Sequence, residues 1–132
     1  MSDPVALYTA ILDALKAGDD EATLRLFAPD FVIHEDPGMP YGGEMSGGER
    51  FIRLRDKVYE SWGENCLELL FKMGDPDGDH SAGVFRLTDR RSGAAPTESY
   101  VTVLWTFRDD LAVEVRVFYY DTPRLSRALA TS

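Results

Sequence analysis

Between residues 3 and 17, Leu7, Tyr8, Ile11, Leu12 and Leu15 recur at three- and four-residue intervals, which places them on one stripe of an amphipathic helix. Gly18 suits the end of that helix, and Asp19 or Asp20 caps a short second one that turns Ala22, Leu26 and Phe27 inward and closes at Ala28-Pro29. A short β-forming run follows over 31–35, and the Pro and Gly residues after it predict irregular chain until about Gly48. From 49 to 62 the helical spacing returns with Phe51, Leu54, Val58 and Trp62, interleaved with Arg, Asp and Glu. Beyond Gly63 the period changes. Segments 66–73, 82–88, 99–107 and 112–120 have strand length and composition. Their connectors, 74–79, 89–96 and 108–110, carry hairpin-turn residues, so consecutive strands are expected to pair antiparallel. Thr122 as cap and Pro123 at the first helical position start a last helix through residue 130, and Asp121 before them is placed to satisfy backbone donors of that helix.

Helices followed by a strand meander predict an α+β fold, a cone-shaped curved antiparallel sheet wrapped around the three helices of the N-terminal half. With 132 residues, 44% hydrophobic and 28% charged, the chain suits a single domain over 1–132. Its net charge of −9, from 23 acidic and 14 basic side chains, opposes nucleic acid and anionic membrane surfaces as partners. Met1 is followed by no basic leader with an apolar core, and no stretch approaches the ~20 apolar residues of a membrane span. A cytoplasmic protein is expected. Cys66 is the single cysteine, which precludes an internal disulfide, and His34 and His80 lack ligand spacing, so neither metal nor cofactor is expected. The run from Asp75 begins like a calcium loop, but His80 and Arg86 replace its Gly and Glu, leaving a turn. The glycines at 42–48 lack the Lys-Ser/Thr of a phosphate loop.

Chemistry concentrates at His34-Glu35-Asp36-Pro37, where two carboxylates and an imidazole end an apolar run at a turn. Strand alternation separates Phe31, Ile33 and Glu35 from Val32, His34 and Asp36. One carboxylate faces the interior while the other caps the turn or meets solvent, and alternation leaves open which. A buried carboxyl would have its pKa raised toward neutrality and suit general-base work. His34 is an acid–base candidate or a half-buried donor. On the last strand Val113, Val115, Val117 and Tyr119 share one face, and Glu114, Arg116, Phe118 and Tyr120 the other. Trp62, Trp105, Tyr41, Tyr100 and Tyr120 either wall a site for a flat apolar ligand or pack the core. Only Tyr41, on its loop, has no evident core role.

The order of these pieces resembles the nuclear transport factor 2-like superfamily, and within it the SnoaL-like and ketosteroid-isomerase-like proteins. The resemblance rests on Gly18-Asp19-Asp20-Glu21-Ala22 through Phe27-Ala28-Pro29-Asp30-Phe31, the 34–43 stretch, Ser46-Gly47-Gly48, and the strand from Val113 to Asp121. It implies a deep cavity between sheet and helices, a homodimer formed through the outer sheet face, and a hydrophobic small molecule as ligand. Isomerases, dehydratases, cyclases and hydrolases occur among such proteins, as do non-catalytic binding or dimerisation modules. In ketosteroid isomerases the base is an aspartate in Glu-Asp-Pro, which points to Asp36, whereas gapless alignment from Gly18 points to Glu35. The oxyanion partners of that family fall at Ile11 and Val103, with Tyr8 one turn away as a substitute. The Asp-Arg-Asp water site of epoxide hydrolases meets Phe118. The resemblance also implies that Glu114, Arg116, Phe118 and Tyr120 line the cavity, Glu114 and Arg116 as a half-buried pair. It thus implies Glu35, Asp36 and His34 as catalytic candidates, with Tyr8, Tyr41, Trp62 and that last-strand set binding substrate.

Overall fold

Asp3 accepts a hydrogen bond from the Val5 amide at 2.8 Å and Pro4 occupies the first turn of α1 (Pro4–Lys16), which satisfies one free donor and removes another. The computed structural model describes residues 3–93 and 97–130. The chain continues through α2 (Asp20–Leu24), β1 (Phe27–Glu35), β2 (Gly43–Ser46) and α3 (Gly48–Trp62) to β3 (Leu67–Gly74). It then forms β4 (His80–Thr88), β5 (Glu98–Arg108), β6 (Leu111–Tyr119) and α4 (Thr122–Ala130). This is the α+β cone expected: one curved, open sheet of order β2-β1-β6-β5-β4-β3 with helices against its inner face.

Strands β3 to β6 pair antiparallel in sequence order, as their connectors predict. Residues 94–96 of the expected 89–96 turn lie outside the described residues. The pairing of β1 with β6 is parallel, so the sheet is mixed. Two element boundaries differ from expectation. The second helix ends at Leu24, and Phe27 already belongs to β1, where the ladder to β6 shifts between Phe27 and Val32. Pro29 falls in that irregular stretch, so its missing N–H removes no regular rung. Residues 43–46, expected to be irregular, form β2 at the sheet edge by pairing antiparallel with β1 from Val32↔Ser46 to Glu35↔Gly43.

The inner face is aromatic. Trp105 is 1% exposed and lies 5.2 Å from Phe51, 5.6 Å from Tyr8 and 6.0 Å from both Phe27 and Phe31, centroid to centroid, contacts worth about 0.5–1.5 kcal/mol each beyond burial. Trp105 therefore belongs to the core. Register puts Val101, Val103 and Trp105 of β5 opposite Tyr119, Val117 and Val115 of β6. Beside the sealed aromatic cluster, Phe85, Val103 and Val117 stay only partly buried. They form an apolar wall leading to Tyr119 at the end of β6.

Candidate functional site

Alternation along β1 buries Phe31, Ile33 and Glu35 together on the inner face, and Glu35 is only 4% exposed. Burial pushes its carboxyl up to about 7, against the opposing pull of the Asp36 amide, which donates to Glu35 Oε1 at 2.9 Å, and of the Tyr119 hydroxyl. Desolvation wins because a carboxylate without a cation partner loses more hydration than two donors restore. Tyr119 comes from the parallel neighbour β6, where Ile33 and His34 pair with Val115 and Arg116. Its hydroxyl lies 3.0 Å from that of Tyr41, which accepts from the Trp62 indole N–H, also at 3.0 Å. Since an indole can only donate, one arrangement uses each proton once: Trp62 to Tyr41, Tyr41 to Tyr119, Tyr119 to Glu35.

The two phenols remain protonated at neutral pH. Burial raises Tyr41 to about 12, and burial together with the Glu35 charge holds Tyr119 well above the ordinary tyrosine range. Cys66, buried nearby, is pushed up to about 11 by desolvation and stays a thiol. The site is a protonated donor chain ending on one carboxyl that changes charge near neutrality.

Asp36 is elsewhere. Its side chain accepts from the Gly38 amide at 2.8 Å and from the Thr122 hydroxyl at 2.5 Å, which closes the turn after β1 and ties it to α4. Thr122 is therefore not the cap expected; Asp121, at φ 61°, accepts from the Arg124 and Leu125 amides through its side chain and carbonyl. His34 points to the outer face, where its Nε2 is 2.9 Å from Glu114 and its Nδ1 3.6 Å from Glu44. The expected lining by β6 is corrected: Glu114, Arg116 and Phe118 lie on the outer face, Val115, Val117 and Tyr119 face inward, and the ladder shifts at Val113 so that Ala112 is buried opposite Phe107. Glu114 and Arg116 do pair, at 3.1 Å, but half-exposed. Phe118 and Tyr120 are 52% and 69% exposed. The cause is that β6 contributes Val115 to the inner face opposite Trp105, and period-2 alternation carries every second residue with it.

Tyr8 is buried on α1 against Gly83 and Trp105, and the polar side chain its hydroxyl approaches is the Trp105 indole. Trp105 lies four residues of β5 from the Tyr119 row, roughly 13 Å of strand, so Tyr8 is not part of the Glu35 chain. Tyr41 and Trp62 are part of it. Alternation does not mark Tyr119 as functional, because it shares its face with the apolar Val113, Val115 and Val117. The available signal was a phenol among inward valines, which needs a polar partner when buried. Among the described residues no group of three or more His, Cys, Asp or Glu could hold a metal ion, and no helix is long and apolar enough to cross a membrane.

Comparison with known proteins gives the family and the fold. The model of the SnoaL-like domain family matches residues 8–115. No curated protein matches the sequence. Among solved structures, an NTF2-like protein from Burkholderia thailandensis superimposes with a TM-score of 0.80 at 23% identity over 98% of each chain. TerC, co-crystallised with polyporic acid, gives 0.76 at 18% identity over 96% of this chain and 98% of its own. A candidate SnoaL-like polyketide cyclase from Jannaschia gives 0.75 at 16% identity over 98% of this chain and 92% of its own. The chain belongs to the SnoaL-like domain family and has the nuclear transport factor 2-like fold.

Proposed function

We propose that the protein binds a hydrophobic, carbonyl-bearing small molecule in the cone and moves a proton on it without a cofactor, with Glu35 as general base. The observation that carries this reading is the burial of Glu35 with a carboxyl at about 7 beside a protonated phenol chain. A base poised near the working pH combines availability with driving force, which contributes typically ~100- to 10,000-fold in rate. When a substrate oxygen develops negative charge, Tyr119 can turn its one proton from Glu35 to that oxygen, with Tyr41 and Trp62 donating in series behind it. The part-buried Phe85, Val103 and Val117 supply the apolar wall. The co-crystallisation of TerC with polyporic acid supports a ligand of this kind.

The test needs no prior substrate. Incubated in heavy water with cyclic aromatic ketones such as 2-tetralone, the protein should accelerate α-deuterium exchange, read by mass spectrometry, with a rate that rises with pH through about 7. Glu35→Gln should lose at least about 100-fold of that acceleration. A second reading, a non-catalytic binding module, is favoured by one observation: Glu35 already has donors on two sides. Ligand affinity that persists in Glu35→Gln, with no exchange in either protein, selects it.

The same proposal includes a cytoplasmic homodimer. Register aligns Phe71, Val84, Thr102 and Phe118 in one row across the outer face of β3, β4, β5 and β6, with Met73, Ala82 and Leu104 in the next, which ends on Arg116 of β6. Phe71, Met73 and Phe118 are 50%, 52% and 52% exposed. A contiguous exposed apolar face of this kind marks an interaction surface, and a second copy brings the matching face.

A further inference from the structure

Outside the cone, a cleft of about 640 Å³ runs between α3 and the turn joining β1 to β2. Its apolar side is made by Tyr41, Met45 and the buried Leu54. Its polar side carries Arg50, Arg53 and Lys57, three cations at positions i, i+3 and i+7 of one helix, a spacing that keeps them on one stripe. Lys57 is engaged by Glu60 at 3.3 Å. Arg50 and Arg53 are exposed, and among the described residues neither meets a carboxylate within ion-pair distance. In a chain with 23 acidic and 14 basic side chains, Arg25, Arg55, Arg86, Arg91, Arg108, Arg116 and Arg124 hold acidic partners; Arg90 and Arg127 also have no ion pair among the described residues, but only Arg50 and Arg53 line the cleft.

From this geometry we infer that the cleft is a binding site for an amphipathic organic anion, a carboxylate or sulfonate on a flat apolar body. Two unpaired guanidinium groups present planar forks that match a two-oxygen anion. Tyr41, Met45 and Leu54 cover the apolar body, and the volume lies in the range of small-molecule sites, about 300–1,000 Å³. The site is distinct from that of Glu35, which does not line it. The two meet at Tyr41, which lines the cleft while its hydroxyl joins the buried chain.

The probe is 8-anilinonaphthalene-1-sulfonate, compared with N-phenyl-1-naphthylamine, which has the same apolar body without the anion. Fluorescence titration should show saturable one-to-one binding of the sulfonate that weakens with added salt and loses at least about tenfold in affinity in Arg50→Gln/Arg53→Gln. The amine should bind both proteins equally. Sulfonate-induced amide shifts in a ¹⁵N spectrum should centre on Gly42, Met45 and Arg53, and Phe118→Glu, on the outer sheet face away from the cleft, should bind the sulfonate as wild type does. Undiminished sulfonate affinity in the double variant, or shifts centred on Phe118 and the outer sheet face, overturns the assignment. Both arginines are exposed on a helix whose buried face they do not touch, so the variant is expected to fold.

Discussion

Glu35 couples stability to pH with a definite sign. Its folded carboxyl lies at about 7 against 4.5 for the free side chain, so between those values the native state binds more protons than the unfolded one. Stability from this group is fully present below about 4.5 and is lost as pH rises through about 7. The penalty at higher pH is on the order of 3 kcal/mol. Denaturant unfolding of wild type and Glu35→Gln at pH 4, 6 and 8 should show the variant gaining on wild type with pH and levelling off by pH 8. A pH-independent difference would mean that the Glu35 carboxyl is not perturbed. Tyr119→Phe removes a donor that holds the carboxyl down, so Glu35 should titrate higher still, read from its side-chain ¹³C shift. Asp36→Asn should cost only about 1 kcal/mol, because its work is to close a turn. The residue types and their place at a strand end were legible in the sequence. The choice between adjacent carboxylates was not, since one residue of register exchanges the two faces.

The turn joining β1 to β2 is the element on which the site depends. It carries Tyr41 to Trp62 and Tyr119, and Asp36 pins its start to Thr122 at the head of α4. It closes through the Met39 amide on the Asp36 carbonyl and the Gly42 amide on the Met39 carbonyl. A Cβ on Gly42 would stand 1.8 Å from the Asp36 carbonyl oxygen, so Gly42→Ala must open the turn. The expected loss is about 2–3 kcal/mol, with Tyr41 released from Trp62, measured by thermal unfolding and by the indole N–H resonance of Trp62. The Pro and Gly content of this stretch announced a turn, as read. It concealed β2, because an edge strand is made by its partner's hydrogen bonds and needs little propensity of its own. The early start of β1 was hidden in the same way: Phe27 and Leu26 suit a helix face, but β6 pairs with Phe27 and the Ala112 amide bonds to the Leu26 carbonyl.

The opposite face of the sheet sets the expected assembly. Phe118→Glu puts a charge at the end of the Phe71, Val84, Thr102 row, and sedimentation equilibrium should show a dimeric wild type and a monomeric variant. A monomeric wild type at micromolar concentration sinks the proposed homodimer. The helical spacing of α1 and α3 and the change to strand-length segments after Gly63 were local properties, so the α+β class and the antiparallel order of β3 to β6 could be read from the chain. So could the clustering of titratable side chains at the end of β1. Three things required the folded chain: the parallel seating of β1 on β6, the inward facing of Tyr119 in place of Glu114, Arg116 and Phe118, and the meeting of Tyr41 with Trp62. The physical reason is common to them. Periodicity states which residues share a face, but which face becomes the interior is decided by partners distant in sequence, here Trp105 opposite Val115 and Tyr119 beside Glu35.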